Sequence, residues 1–287
     1  MSLPAGDMCH LSGGVFIMGS EHFYAEERPS RQARVEPFWL DRGPVTNAEF
    51  ARFITATGYR TLAELPLPGQ PAGSRAGSLV FRKPTRPVPL HDPSFWWDLD
   101  PQADWRHPEG EGSSLAGLEN HPVVHVAHRD ALAYAAWAGK RLPSEAEWEF
   151  AARGGLMGAD YAWGDELLPE GRQLANFWRG EFPWQREDGL DSGFTTAVGH
   201  YPANAFGLFD LIGNVWEWTA DDYRENALSC PGCAVSRPTG TDADKTLKGG
   251  SFLCAQGYCQ RYRPAARQGL CGESSASHIG FRCARCG

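Results

Sequence analysis

Glycine and proline interrupt this chain so often that no regular element can run far. The 287 residues include 33 glycines and 21 prolines, a share well above the roughly 12% usual for these two residues and below the roughly 25–30% of low-complexity chains. Glycine adopts turn conformations freely and proline removes a backbone donor, so both end helices and strands. The sequence therefore predicts an irregular, loop-rich α+β fold with little regular secondary structure.

Length and charge limit the classes of protein to consider. A chain of this length with 42% hydrophobic residues can bury one large core, and we predict a single domain over residues 1–287. The formal charge of −8 argues against a nucleic acid or an anionic membrane as partner. There is no run of about 20 apolar residues and no secretory leader pattern, so we expect a cytoplasmic protein. We also expect a monomer.

Three segments have helical signals. In the first, Thr46 followed by Glu49 forms a capping box, and in the third Ser144 and Glu147 repeat it. Each of these segments stops at a glycine, as helices often do. Between them, residues 129–140 place alanines and a leucine at helical spacing.

The strand signals are short and dispersed. We predict strands at 13–20, 33–42, 121–128 and 246–252. The stretch from about 60 to 120 is rich in Pro, Gly and Trp without periodicity, which indicates a long ordered loop. We expect a disordered tail after residue 283.

Two cysteines, Cys254 and Cys259, stand five residues apart after a glycine pair. They would diverge on a helix and lie on opposite faces of a strand, so only a bent loop brings them together. Gly257 supplies freedom for that bend. Nearby arginines would favour the thiolate if they fold inward; they are Arg261, Arg263 and Arg267. Two soft thiolates suit Cu(I) better than harder cations, although a structural disulfide or two buried thiols is the alternative.

Several blocks of the sequence carry a resemblance. They include "GGVFIMGS", "AWAGKRLPSEAEWEFAARGG", "GLFDLIGNVWEWTADDY", "LKGGSFLCAQGYCQRYR" and "SHIGFRCA". In nearly the same order and spacing they resemble the formylglycine-generating enzyme family of the aerobic bacterial type, over a core of about residues 12–284. The resemblance implies the C-type-lectin-like FGE-sulfatase fold. Most blocks are shared by relatives with other chemistry, whereas two cysteines at this spacing after "GGS" are typical of the enzymes themselves.

The resemblance implies an oxidoreductase of sulfatase maturation. Such an enzyme converts the cysteine of a Cys-x-Pro-x-Arg motif in a sulfatase to Cα-formylglycine, a post-translational modification that uses O₂ and a thiol reductant. Cys254 and Cys259 would bind copper, and the substrate cysteine would be a third ligand. The resemblance also gives roles to five neighbours: Ser251 would line the oxygen pocket, Trp218 would wall the substrate groove, and Tyr258, Arg261 and His278 would contact substrate.

Two structural calcium sites are also expected. At the first, the carbonyls of Ile212, Gly213 and Val215 would converge with the Glu217 carboxylate, a set of oxygen ligands that suits Ca²⁺. The alternative is that Asn214 caps a turn and Glu217 forms a buried salt bridge. The second site is implied by the resemblance and would use Asn176, the Phe177 carbonyl and either Asp188 or Asp191.

Other histidines and cysteines have simpler interpretations. We interpret His121, His125 and His128 as structural, because Pro122 and the valines favour an extended segment. The pairs Cys230/Cys233 and Cys283/Cys286 are too far apart for a zinc ribbon, so unpaired thiols are preferred over structural zinc. Some relatives place a disulfide at the position of Cys283, but Ala135 occupies the partner position here, so we expect no bridge.

Two other functions have the same fold. One is a non-catalytic or differently reacting relative that acts as a peptide-binding or protein-binding module. The other is a sulfoxide synthase, which normally needs an additional His-rich helical iron domain that no segment of this sequence could encode. The cysteine pair is the feature that favours the oxidase.

Overall fold

Short helices and strands joined by long loops make up the computed structural model, which describes residues 7–66, 74–187, 194–224 and 243–287. The α-helices are α1 (Asn47–Thr57), α2 (His128–Trp137) and α3 (Glu145–Arg153). Short 3₁₀ helices lie at Ala25–Glu27, Leu62–Glu64, Pro93–Phe95 and Pro169–Gly171. The α+β, loop-rich fold predicted from the sequence is confirmed.

The strands form small, separate sheets. In chain order they are β1 (Met8–Leu11), β2 (Gly14–Met18), β3 (Arg31–Val35), β4 (Phe38–Asp41), β5 (Ser78–Phe81), β6 (Trp97–Asp100), β7 (Trp216–Asp222), β8 (Asp244–Lys248), β9 (Arg267–Cys271), β10 (Ile279–Gly280) and β11 (Ala284–Cys286). The sheet orders are β1-β4-β11, β10-β7-β8-β9, β2-β3 and β5-β6. The four-stranded sheet carries the functional region, since β8 leads directly into the cysteine loop.

Both predicted capping boxes are present. Thr46 accepts a hydrogen bond from the Glu49 amide at 3.3 Å, and Glu49 accepts one from the Thr46 amide at 2.9 Å. Ser144 and Glu147 form the same pair of bonds at 3.2 and 2.8 Å. Helix α2 begins one residue before the predicted 129–140 segment and ends at Trp137.

Two strand predictions need correction. The 33–42 segment is two strands in different sheets, β3 and β4, because Pro37 lies between them without a backbone donor. The 121–128 segment is not a strand: His125 has a left-handed φ of 59°. Its amides bond to separate loops, Val123 to the Val45 carbonyl at 2.8 Å and His125 to the Ala276 carbonyl at 3.1 Å.

Two predicted irregular regions contain strands. Within 60–120, β5 and β6 pair antiparallel. Phe81 and Trp97 lie opposite each other on the two strands, with ring centroids 6.1 Å apart, and this cross-strand contact does not need a regular alternation in the sequence. After residue 283 the chain is ordered, because β11 pairs with β4. The disorder predicted for the tail is therefore wrong, since the edge of β4 provides hydrogen-bond partners that local sequence cannot reveal.

The core is aromatic and also holds buried charge. Fully buried side chains include Trp148, Trp178, Trp218 and Phe50. Arg282 is buried beside Glu217. In the described ranges, no helix is both long enough and apolar enough to span a membrane. The prediction of one domain over 1–287 stays a prediction.

Candidate functional site

The cysteine loop begins at a glycine pair. Gly249 and Gly250 have left-handed φ values of 91° and 75°. A Cβ on Gly250 would lie 2.3 Å from the Arg261 carbonyl oxygen, and one on Gly249 would lie 2.5 Å from the Leu211 carbonyl oxygen. No other residue fits these positions, because the backbone approaches itself too closely. The glycine pair therefore brings the two ends of the loop together.

A single helical turn then brings the thiols together. The Cys259 amide donates to the Ala255 carbonyl at 2.8 Å, so the loop is bent as predicted. Gly257 is not the reason: its φ lies outside the left-handed region, and a Cβ there would meet open space. The Trp178 amide donates to the Cys254 carbonyl at 2.9 Å, which anchors the loop to a neighbouring segment.

The two sulfur atoms lie 3.2 Å apart and are free thiols. Burial raises the pKa of Cys254 well above its usual value. A hydrogen bond from the Cys254 thiol, with the positive charge of Arg261, lowers the pKa of Cys259 to about 7. As the pH rises through about 7, the pair therefore loses its first proton from Cys259, while Cys254 stays a thiol.

Of the three predicted arginines, Arg261 is the one whose charge lowers the pKa of Cys259. Arg261 is buried, forms an ion pair with Glu26, and lies over the Tyr24 ring at 4.1 Å. Arg263 donates to Glu27 at 2.6 Å and Arg267 donates to Glu145 at 2.7 Å. These two arginines are neutralised by buried carboxylates, so they hold the loop in place.

A cavity of about 90 Å³ lies over the thiol pair. Its walls are mainly apolar and aromatic, and they include five of the residues discussed above and one new tryptophan: Cys254, Cys259, Ser251, Tyr258, His278 and Trp216. Tyr258 stacks on Phe182 with ring centroids 4.6 Å apart. The structure thus brings together the predicted thiols, the predicted oxygen-pocket serine and two predicted substrate contacts.

Trp218 and Arg261 do not line this cavity. The Trp218 indole is fully buried, donates to the Val126 carbonyl at 3.0 Å and packs edge-on against His128. Trp216, two residues earlier on β7, lines the cavity instead. Arg261 faces Glu26 because its charge needs a partner once it is buried. Trp216, and not Trp218, therefore faces this cavity, and the role of Trp218 as a wall of the substrate groove stays a prediction.

His278 reaches the cavity as an uncharged base. Its Nδ1 is buried without a hydrogen-bond partner among the described residues, and its ring lies 4.7 Å from the Trp97 ring. Burial lowers the pKa of His278 to about 3. The ring is therefore neutral at physiological pH and can accept or donate one hydrogen bond.

The first predicted calcium site is occupied by an ion pair. Glu217 accepts from Arg282 through both oxygens at 2.7 Å, and from the Trp148 indole at 2.8 Å. Asn214 accepts from the Thr196 amide at 2.9 Å in a turn with φ 58°. The carbonyl-bearing residues of the prediction are buried in the same turn; they are Ile212, Gly213 and Val215. This arrangement matches the alternative interpretation, and the donor set as it stands does not fit Ca²⁺.

At the second predicted calcium site, an arginine again holds the oxygens. Arg186 Nη2 donates to Asn176 Oδ1 at 2.8 Å and to the Phe177 carbonyl at 3.4 Å. Asp188 and Asp191 lie outside the described residues. We derive no role for calcium here, and the calcium prediction remains untested.

The remaining histidines lie in structural positions. His121 bonds to Thr195 at 2.9 Å, and His128 Nε2 donates to the Thr219 carbonyl at 2.9 Å. Among the described residues, no three His, Cys, Asp or Glu side chains are grouped to hold a metal. Cys283 is buried and forms no disulfide with another described cysteine. Cys230 and Cys233 lie outside the described residues.

Sequence reasoning missed a polar chain beside the cavity. His125 Nε2 lies 2.9 Å from the Pro108 carbonyl, and His125 Nδ1 lies 2.8 Å from Ser78 Oγ. Ser78 Oγ lies 2.7 Å from Ser275 Oγ, and Ser275 lines the cavity. The run "SSAS" at 274–277, next to His278, was the available signal, but its partners are distant in sequence.

The comparison with family models identifies the fold's relatives. The FGE-sulfatase model, described as the sulfatase-modifying factor enzyme 1-like domain, matches residues 2–286. The chain belongs to the FGE-sulfatase family. Among solved structures, PvdO from Pseudomonas aeruginosa superposes with a TM-score of 0.64 at 24% identity, covering 97% of this chain and 94% of that one. This structural likeness shows the shared fold.

Named members of the FGE-sulfatase family are similar over nearly the whole chain. The formylglycine-generating enzyme of Mycobacterium tuberculosis is 50% identical, with 96% of this chain and 97% of that protein covered. The one from Streptomyces coelicolor is 46% identical, covering 96% and 87%. The inactive Cα-formylglycine-generating enzyme 2 of Mus musculus is also similar, at 39% identity over 96% and 85%. Family membership thus includes both active and inactive proteins.

Proposed function

We propose that this protein converts a cysteine of a sulfatase polypeptide, within a Cys-x-Pro-x-Arg motif, to Cα-formylglycine. The observation that carries the proposal is the free thiol pair, Cys254 and Cys259, 3.2 Å apart at the floor of a cavity. Relatives that are 46–50% identical are named formylglycine-generating enzymes. These two facts favour the enzyme over a binding module of the same fold.

The thiol pair fits Cu(I), and we propose Cys254 and Cys259 as its ligands. Soft thiolates prefer this ion, and a low-coordinate site leaves room for a substrate thiol. Bound copper would supply the redox chemistry that lets O₂ oxidise the substrate. The protein contributes one ready thiolate on Cys259, because Cys254 and Arg261 lower the pKa of that thiol.

The remaining residues confine the reaction. Trp96, Trp216 and Tyr258 line the cavity with aromatic surface, which excludes water from the reacting sulfur. Ser251 is buried at the start of the loop, and its hydroxyl accepts from the Leu253 amide at 3.3 Å. We assign Ser251 to the oxygen side of the cavity and Tyr258 with His278 to the substrate side.

The proposed reaction balances with a thiol reductant. The substrate CH₂–SH loses two electrons and two protons to become a thioaldehyde, and water hydrolyses the thioaldehyde to the aldehyde and H₂S. Two molecules of reducing thiol supply two further electrons and become a disulfide. Those four electrons and four protons reduce O₂ to two waters, one of which is formally consumed in the hydrolysis.

Mass spectrometry of a synthetic Cys-x-Pro-x-Arg peptide tests the proposal. The peptide is incubated with copper-loaded protein, O₂ and dithiothreitol, beside Cys254→Ser and Cys259→Ser. We expect conversion of the cysteine to an aldehyde by the unaltered protein and loss of conversion, by at least a hundredfold, in both variants. Cys271→Ser is the matched control, because that half-buried thiol lies outside the cavity.

An unchanged peptide would reject the enzyme. If the protein still bound the peptide, the binding-module alternative, represented by the inactive relatives, would replace it. If Cys259→Ser retained activity, the assignment of the copper ligands would be wrong while the activity stood.

A further inference from the structure

A buried chain of hydrogen bonds ends at the wall of the cavity. It runs from the Pro108 carbonyl through His125 and Ser78 to Ser275, with successive distances of 2.9, 2.8 and 2.7 Å. His125 and Ser78 are buried to 1% exposure or less, and Ser275 to 8%. Nothing in the proposed chemistry of the thiol pair accounts for this chain.

The direction of every hydrogen in the chain follows from its first member. The Pro108 carbonyl can only accept, so His125 Nε2 donates. Burial lowers the pKa of His125 to about 4, so the neutral ring has no second proton and Nδ1 accepts. Ser78 must then donate to His125, which leaves its lone pairs to accept from Ser275.

The Ser275 hydroxyl therefore donates to Ser78 and can act toward any other group only as a hydrogen-bond acceptor. Its one hydroxyl proton is directed toward Ser78, so both lone pairs of the Ser275 oxygen have no donor among the described residues and can accept from a ligand in the cavity that Ser275 lines with Cys254 and Cys259. Most other walls of that cavity are apolar. An unpaired acceptor in such surroundings selects for a ligand that donates a hydrogen bond.

The backbone around His125 supports a built site. His125 has a left-handed φ of 59°, which non-glycine residues rarely adopt. Its amide donates to the Ala276 carbonyl at 3.1 Å, next to Ser275. Such conformations persist where the surroundings hold them, often at functional sites. The same contact places the histidine ring and the Ser275 segment in a fixed relation.

We propose that Ser275 binds the substrate peptide by accepting a hydrogen bond from one of its backbone amides near the reacting cysteine. His125 and Ser78 are positioning residues that act through Ser275. This inference rests on the proposed function, because the donor belongs to the peptide substrate. It makes the cavity selective for an extended peptide with a free amide at one position.

The test measures peptide binding and turnover separately. A non-reacting peptide with serine in place of cysteine gives a dissociation constant by calorimetry, and the cysteine peptide gives kcat and KM. We expect Ser275→Ala to raise the dissociation constant and KM about tenfold, since the peptide amide loses its acceptor, and to change kcat little. Ser277→Ala is the matched control, because Ser277 is a buried serine of the same segment that does not line the cavity.

Peptides with an ester in place of one backbone amide identify the donor. Against the unaltered protein, one ester position is expected to weaken binding about tenfold. Against Ser275→Ala, that same ester should cost nothing further, which is the signature of a direct bond. Ser78→Ala keeps the Ser275 hydroxyl but frees its rotation, so we expect a smaller loss of peptide affinity than in Ser275→Ala. Ser275→Thr keeps a hydroxyl at position 275, so it should retain most of the affinity that Ser275→Ala loses.

The two proposals fail differently. If the unaltered protein converts the cysteine peptide but Ser275→Ala binds as tightly, or every ester costs both proteins equally, the role of Ser275 is wrong and the enzyme stands. If the unaltered protein neither binds nor converts the peptide, the proposed function falls and the Ser275 inference falls with it. Equal losses of peptide affinity in Ser277→Ala and Ser275→Ala would also overturn the inference.

Discussion

The two thiols of the pair differ sharply although they touch. Cys254 is buried and Cys259 is partly exposed. Burial raises the pKa of Cys254, whereas the bond from Cys254 and the charge of Arg261 lower the pKa of Cys259 to about 7. Cys259 therefore ionises first, and the Cys254 thiol donates the hydrogen bond that stabilises the Cys259 thiolate.

In metal-free, reduced protein, iodoacetamide should therefore label Cys259 before Cys254. The labelling rate follows the thiolate, so it should rise with pH through about 7 and level off above it. Peptide mapping by mass spectrometry at each pH measures this. Cys254→Ala is the control: it removes the hydrogen-bond donor that lowers the pKa of Cys259, so the midpoint for Cys259 should move upward. Labelling of Cys254 first would contradict the assignment.

At the scale of elements, the 3₁₀ helix Ala25–Glu27 supports the cysteine loop from a distant part of the chain. Glu26 pairs with Arg261, and Glu27 pairs with Arg263 through both oxygens. Tyr24, just before the helix, accepts from the Gln260 amide at 2.9 Å. Because these charges are buried, removing one partner leaves the other charge unpaired in the protein interior, which solvates ions poorly.

We therefore expect Glu27→Gln to lower the free energy of unfolding by about 3 kcal/mol, the usual effect of breaking a buried pair. Urea denaturation followed by tryptophan fluorescence measures it. Glu36→Gln is the comparison, since the Arg34–Glu36 pair has side chains 72% and 78% exposed and should matter little. Equal effects of the two substitutions would show that burial does not set the cost.

At the scale of the whole molecule, arginines tie remote segments together through oxygen atoms. Besides Glu217, Arg282 donates to the carbonyls of Asp41, Arg42 and Phe209. It thus connects β4 and the turn before β7 from a position just before β11. A guanidinium group has five donors in a rigid plane, so one residue can gather as many oxygens as a bound cation.

This arrangement predicts stability without calcium. Thermal unfolding after treatment with EGTA should have the same midpoint as in millimolar CaCl₂, with MgCl₂ as the ionic control. A ligand that binds only the folded state raises the midpoint with concentration. A rise specific to calcium would show that the folded protein binds Ca²⁺ and would contradict this prediction.

How far the sequence predicts this structure depends on the range of each interaction. The capping boxes of α1 and α3 were predictable because their bonds span three residues. The bent loop at Cys254 and Cys259 followed from local spacing and resemblance. By contrast, Trp216 and Trp218 are alike in sequence, and only their neighbours on other segments decide which one lines the cavity.

Long-range partners explain the other failures. The Glu26–Arg261 pair joins residues 235 positions apart, and His125, Ser78 and Ser275 come from three separate segments. The tail was predicted as disordered because its pairing strand lies near the other end of the chain. No local pattern encodes such contacts.

The sheet β1-β4-β11 has a mechanical consequence. Met8 in β1 pairs with Asp41 at one end of β4, whereas Cys286 in β11 pairs with Phe38 at the other end. A force that pulls residues 8 and 286 apart would slide both outer strands along β4 in opposite directions. The force would load all the hydrogen bonds between these strands at the same time. The molecule should therefore resist unfolding when it is pulled from these two points, as strands pulled in shear geometry do.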